Sequence, residues 1–363
     1  MKKIIWIAVA IIVIAIVAVT VSKRNSNVDF GMVKLGVIAG TTGQYAPAGE
    51  AYLKGFSLAL EQWNSSDAKP KFEAVFEDDG FDAKKGLTAY QKIKGIDGVA
   101  AYAVLSSFTI DAIYDLARAD AKPIALGFEQ SKPAEADNIF QVLPAARPVQ
   151  LALGMKLKEL GYKSPAAAVS NNTPVYQNFF SGFSEGYGEG VTKFEIGSDV
   201  AGIRSQALAI VAAKPDVVTF FMAPKDGALL VKEILKIAGD KKPYFAFDQS
   251  IQSGSTDYKT ILGVDMKKLD GSIVSMSKND LTDAFKNSYK QKYGAEPSFG
   301  ADMGYNAFMT LADTYNGNLK TWIKNLSDAR IKGADGELSF DSKGLRVPNV
   351  FFGNLKDGAV EVK

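Results

Sequence analysis

The sequence predicts an α/β fold of two doubly wound lobes, each built on a parallel sheet with helices on both faces. Three observations point there. From Val33 onward, near-continuous apolar runs of strand length alternate with longer segments of helical periodicity. That is the pattern of strands buried on both faces between crossover helices. The alternation breaks at "QVLPAARPV" and then restarts, and the 363 residues are about twice the length of a common single domain.

In the first lobe the strand "VKLGVIA" leads into the helix "EAYLKGFSLALEQWN", followed by the strand "KFEAVFEDD" and the helix "AKKGLTAYQKIK". The strand "GVAAYAVL", the helix "TIDAIYDLARAD" and the strand "KPIALGF" complete it. The second lobe begins with the helix "QLALGMKLKELG" and the strand "PAAAVS", then the helix "YQNFFSGFSEGYG" and the strand "TKFEIG". It continues with the helix "SQALAIVAA", the strand "DVVTFFMA", the helix "DGALLVKEILKIAG" and the strand "PYFAFD". The strand "GSIVSM", the helices "LTDAFKNSYKQKYG" and "GADMGYNAFMTLADTYNG", and a terminal strand pair in "VPNVFFGNLKDGAVEVK" are shared between the lobes. In open parallel sheets ligands bind beyond the carboxyl ends of the strands. The loops of interest therefore run over Gly40–Gly49, Asp78–Asp82, Ser106–Thr109, Gly127–Ser131, Ser170–Tyr176, Ala223–Asp226 and Asp248–Ser250.

Composition excludes several classes of function. Lys2, Lys3, Lys23 and Arg24 flank the N-terminal apolar run, and from Gly31 onward acids and bases balance to within one charge. Such a body has no basic bias with which to hold nucleic acid. Without cysteine there is no disulfide, thiolate nucleophile or Cys-ligated zinc. Without histidine the commonest general base and metal ligand are missing too. No cofactor or metal is expected, and the chain does not read as an enzyme. The uncharged run Ile4–Val21 approaches the roughly 20 residues that span a bilayer. It reads as an N-terminal transmembrane helix, a signal anchor with a polar tether over residues 1–30, that leaves the body extracytoplasmic. Small residues at Ala18, Thr20 and Ser22 keep the alternative of a cleaved signal segment.

Most motif matches lack the context their chemistry needs. The glycines Gly36, Gly40, Gly43 and Gly49 fit neither G-x-G-x-x-G nor the phosphate loop. "GFSEG" (Gly182–Gly186) matches a nucleophile elbow, but it lies inside a helical pattern in a chain without histidine. "EDDGFD" lacks the spacing that wraps Ca²⁺ and reads as a solvated loop with a helix-capping Asp. What remains is a set of polar and aromatic groups at strand ends. Gln44, Tyr45, Ser106, Ser107, Phe128 and Glu129 belong to the first lobe, and Tyr176 and Asp248 to the second. Ser106 and Ser107 suit either helix capping or hydrogen bonding to a small ligand, and Asp248 suits either a cap or a cationic group.

Taken together the segments resemble the type I periplasmic binding proteins of ABC transporters, specifically the branched-chain amino-acid (Leu/Ile/Val) binding group. "VKLGVIAGTTGQYAPAGEAYLKGFSLALEQWN" is similar to that group's opening strand, T-G-x-x-A loop and first helix. "FEDDGFDAKKGLTAYQKI" resembles its D-D-x-x-D-P-x-x-A segment, and "DGVAAYAVLSSFT" its strand ending in paired serines. The likeness runs through "AAKPDVVTFFMAPKDGALLVKEILKIAG" and "FKNSYKQKYGAEPSFGADMGYNAFMTLADT" to "GELSFDSKGLRVPNVFFGNLKDG". It implies two Rossmann-like lobes joined by crossovers near Ala146, Ser272 and Arg346. Lobe 1 is then 31–146 plus 273–346, and lobe 2 is 147–272 plus 347–363. It also implies that Ser106 and Ser107 face a ligand carboxylate, that Asp248 faces its amino group, and that Tyr176 is an aromatic of the second lobe. The group's Thr after the next strand has no counterpart, since Glu129, Gln130 or Ser131 stands there according to the gap chosen. A Glu facing a carboxylate is repulsive, which leaves amides, urea-like compounds, polyamine-like cations and aromatic acids open beside amino acids. The implied function is capture of a small polar ligand by hinge closure and delivery to an ABC permease. The alternative is a membrane-anchored sensing ectodomain that signals to a partner protein.

Overall fold

The computed structural model describes residues 32–43, 45–66, 70–96, 98–129, 137–172, 174–197, 200–277 and 280–362. The apolar run Ile4–Val21, and with it the expected anchor, lies outside them, as do Gln44, Gln130 and Ser131. Among the described residues no helix is long and apolar enough to cross a membrane.

The chain opens with β1 (Met32–Ile38), α1 (Ala46–Asn64), β2 (Lys71–Glu77), α2 (Ala83–Lys94), β3 (Val99–Val104), α3 (Ser107–Asp120), β4 (Ile124–Leu126) and β5 (Ile139–Pro144). Helix starts follow local chemistry: Asp82 accepts the Lys84 and Lys85 N–H groups ahead of α2, and Ser106 accepts those of Phe108 and Thr109 ahead of α3. All five strands pair in parallel, in the order β5-β4-β3-β1-β2. Leu35 and Val37 point to one face of this sheet, where they meet Tyr52, Phe56 and Phe308, while Ile38 and Val104 meet Tyr90, Ile110 and Ile113 on the other.

A second set follows: α4 (Ala146–Glu159), β6 (Pro165–Ser170), α5 (Pro174–Tyr187), β7 (Thr192–Ile196), α6 (Val200–Ala213), β8 (Val217–Phe221), α7 (Pro224–Ala238), β9 (Tyr244–Asp248), α8 (Ser250–Ser253), α9 (Ser255–Leu262) and β10 (Ile273–Ser277). β10 lies parallel to β9, so it belongs to the second sheet. The expected return to lobe 1 at Ser272 therefore falls after Ser277, because the residues that follow Ser272 are hydrogen-bonded into the lobe they were expected to leave.

The chain then completes the first lobe with α10 (Asp283–Tyr293), α11 (Ala301–Thr314), α12 (Trp322–Asp328), the small hairpin of β11 (Ile331–Gly333) and β12 (Gly336–Leu338), and β13 (Leu345–Arg346), which pairs with β5. It ends in the second sheet with β14 (Val350–Lys356) and β15 (Ala359–Val362), giving the order β15-β14-β10-β9-β8-β6-β7. Three connections thus join the lobes: after Pro144, after Ser277 and after Arg346. The first and third lie side by side, with the Ala145 N–H donating to the Arg346 carbonyl at 3.1 Å. Arg346 is buried, ion-paired with Asp335 at 2.8 Å, and donates to the Val142 carbonyl at 3.2 Å.

Candidate functional site

The loops beyond the carboxyl ends of the first sheet are shaped largely by "EDDGFD", which follows β2. Asp78 accepts the Thr41 N–H at 2.7 Å and the Thr42 hydroxyl at 2.6 Å, fixing the loop after β1. Burial raises its pKa, but these bonds and the Gly80 N–H outweigh that and hold the carboxyl below its ordinary range. Asp79 is not solvated as expected: it is fully buried, accepts the Phe81 N–H at 3.0 Å and the Thr109 hydroxyl, and has a pKa raised by that burial. Asp82 is the helix cap the sequence suggested. The outcome of these three anchors is Phe81, held at a φ of 56°. A bulky residue persists there only when its surroundings over-determine it. Gly40 makes room for the ring, since a Cβ at that position would lie 2.3 Å from it.

Phe81 belongs to a series of rings. Tyr45 meets it edge-on with centroids 5.4 Å apart, Phe128 lies 6.4 Å beyond, and Phe299 stacks on Phe128 at 5.8 Å. Each ring comes from a different loop. Tyr45 is 51% exposed and Phe299 65%, an unusual amount of open aromatic surface.

The paired serines divide their work. Ser106 is buried and caps α3, with its oxygen 3.1 Å from the Phe108 nitrogen and 3.4 Å from that of Thr109. Ser107 donates its hydroxyl to the Glu129 carbonyl at 2.5 Å. The Glu129 carboxylate accepts the Gln141 side-chain N–H at 3.0 Å and the Ala146 backbone N–H at 3.3 Å. Glu129 is thus turned to the first connection between the lobes. Burial pushes its pKa up to about 7, although both hydrogen bonds favour the charged form.

In the second lobe Asp248 closes β9, buried, with its carboxylate accepting the Gln150 side-chain N–H at 3.1 Å and the Ser250 N–H at 2.9 Å. Burial raises its pKa despite those bonds. Tyr176, in the first turn of α5, sits edge-on to Phe179 at 5.9 Å. Its phenol is pushed up to about 12 by burial and by the charges of Asp248 and Asp226, and Tyr45 of the opposite lobe is close enough to contribute. Where Phe299 nears the second lobe, a cavity of 1110 Å³ opens, lined among others by Leu143, Phe299, Gln249, Gln252, Ser277 and Phe351.

Tyr45 and Phe128 thus belong to the ring series that reaches this cavity at Phe299, Tyr176 lies within electrostatic reach of Asp248 and Tyr45, Ser106 and Ser107 are engaged at the start of α3, and Glu129 is turned to the first connection. Sequence reasoning missed Phe81, Gln150, Asp226 and Phe299. Gln150 carried a signal, a polar residue inside the apolar stripe of "QLALGMKLKELG"; Phe299 carried another, an aromatic in a polar loop just before a helix. "GFSEG" is absorbed into α5, where Ser184 lies mid-helix, and its two glycines let that helix pack closely on α4.

Two α/β lobes joined by three connections, with a cavity lined from both, have the plan of a two-lobed binding protein. The chain belongs to the periplasmic binding protein family, which it matches over residues 32–356. Its fold is shared with a leucine binding protein, LivK, from Thermotoga maritima (18% identity, TM-score 0.70, covering 91% of this chain and 97% of that one). It is shared equally with LivJ of Streptococcus pneumoniae in complex with isoleucine (17%, TM-score 0.68, 92% and 98%). A solute binding protein of R. palustris in complex with benzoate also matches (20%, TM-score 0.65, 92% and 95%). The fold is therefore that of the type I periplasmic binding proteins. A comparison with curated proteins gave no match.

Proposed function

We propose that the protein is an extracytoplasmic solute-binding protein that takes a small polar ligand between its lobes, closes over it, and delivers it to an ABC importer. The observation that carries this is Asp248, a buried carboxylate at a strand end that is hydrogen-bonded by the Gln150 amide and by the backbone N–H and hydroxyl of Ser250, none of them cationic. A buried charge is costly until it is paired, and a ligand amine supplies the pair. Tyr45 of the first lobe lies within electrostatic reach of Tyr176 of the second, and a ligand that touches both draws the lobes together. Ligand then shifts the population towards the closed form. Ile4–Val21 is the membrane anchor of this reading, with Ser22–Gly31 as the tether.

The test is a thermal-shift screen of the full chain against amino acids, amides, polyamines and aromatic acids. A ligand at 100 times its dissociation constant stabilises the fold by about 2.7 kcal/mol. One responding class is the expected result. Uniform silence across all of them is the result that removes the solute-binding reading.

A further inference from the structure

Strand β9 ends at Asp248, Gln249 follows it, and both residues are bonded to segments that carry the chain from lobe to lobe. Asp248 accepts the Gln150 side-chain N–H at 3.1 Å. Gln150 lies one helical turn after Ala146, the residue with which α4 starts and whose N–H donates to Glu129 of the first lobe at 3.3 Å. One residue earlier, the Ala145 N–H donates to the Arg346 carbonyl, so the first connection is bonded to the third. On the other side of the strand end, the Gln249 Oε1 accepts the Ser277 N–H at 3.2 Å and the Ser277 hydroxyl at 3.1 Å. Ser277 is the last residue of β10, where the second connection begins.

These links are short and stiff. β10 is hydrogen-bonded alongside β9, with Ser275 in register with Asp248, and a single turn of α4 separates the Glu129 bond from the Gln150 bond. Gln150 is 1% exposed, a polar side chain buried on a helix that packs into the core. Burying an amide costs free energy that its hydrogen bonds must offset, and a bond to an ionised carboxylate is about twice as strong as a neutral one. Hydrogen-bonded chains and rigid elements of this kind are what carry energetic coupling between distant parts of a fold.

Resting on the reading of the cleft as a solute site, we infer that Gln150 and Gln249 are positioning residues that couple the charge at Asp248 to the angle between the lobes. Neutralising that carboxylate weakens its hold on the Gln150 N–H and releases the first turn of α4 at the first connection. The Gln249 bonds pass the same adjustment of the β9 end to Ser277 and the second connection. Occupancy and closure are then joined through two side chains of the protein, in addition to whatever contacts a ligand makes with the two walls.

The chain has no cysteine, so Ala112→Cys on α3 and Ser181→Cys on α5, both exposed, supply one spin-label pair that spans the lobes. Double electron–electron resonance on the full chain, with no ligand added, reads the ratio of long to short distances. Asp248→Asn, which removes the charge and keeps the shape, is expected to change that ratio about threefold to tenfold. In a background of Gln150→Leu and Gln249→Ala, the same substitution should change it by less than about twofold. A response to Asp248→Asn that is equal with and without the glutamines overturns the inference, as does no response at all. Should the Gln150→Leu chain not fold, Gln249→Ala alone decides, since that side chain is exposed and an undiminished response there overturns the coupling. Because no ligand enters the measurement, these outcomes leave the solute reading to the thermal-shift screen. A silent screen beside an intact coupling would remove the ligand and keep the coupling.

Discussion

Glu129 joins parts of the chain that lie far apart in sequence. Its carboxylate is bonded to Gln141 of β5 and to the first N–H of α4, so one side chain clips the first-lobe rim to the start of the second lobe. Burial lifts its pKa from 4.5 to about 7. An acid whose folded pKa is raised gives stability that is fully present below the unfolded value and is lost as pH rises through the folded one. Unfolding free energy should therefore fall between about pH 4.5 and 7, by up to about 3 kcal/mol from this group. Glu129→Gln has no proton to lose and should flatten that part of the profile in denaturant titrations at stepped pH. An identical profile in the variant would place the titration elsewhere. At this scale the sequence offered Glu129 among the candidate ligand contacts, with Gln130 and Ser131 as alternatives, and gave no sign of what the Glu129 carboxylate bonds to. Its partners lie 12 and 17 residues away and reach it only through sheet pairing, which no local spacing expresses.

Among the elements, α4 and α5 make the closest helix approach that bears on the cleft, since Gln150 rides on one and Tyr176 on the other. A Cβ on Gly186 would lie 1.9 Å from the Leu151 carbonyl oxygen, and one on Gly154 would lie 2.2 Å from that of Phe183. Gly186→Ala should therefore force the helices apart and cost about 1–3 kcal/mol by overpacking, more than alanine returns through helix propensity. Chemical denaturation measures it, and an unchanged or raised stability would mean the contact is loose. Gly186, together with Gly182, is also why "GFSEG" resembled a nucleophile turn. Long elements were legible because several periods repeat: α2 begins and ends where its pattern does, at Ala83 and Lys94. The short elements α8, α9, α12, β11 and β13 were not, as none completes enough turns or alternations to stand out from a loop.

For the whole molecule, binding should be visible as compaction. With Tyr45 and Tyr176 brought together over a ligand, small-angle scattering of a saturated sample should give a smaller radius of gyration than the free protein. Equal radii would favour a cleft already closed before ligand enters. The two-lobed plan was readable from rhythm alone, but the sheet to which β10 belongs was not, because an apolar strand carries no mark of which neighbours it will pair with. The three connections between the lobes have one more consequence. Since the chain passes from lobe to lobe after Pro144, Ser277 and Arg346, a protease that cuts any one of them leaves two covalent bridges intact. A singly nicked molecule would run as two fragments on a denaturing gel, yet in solution it would still be one hinged body, its halves tethered in register over the cleft.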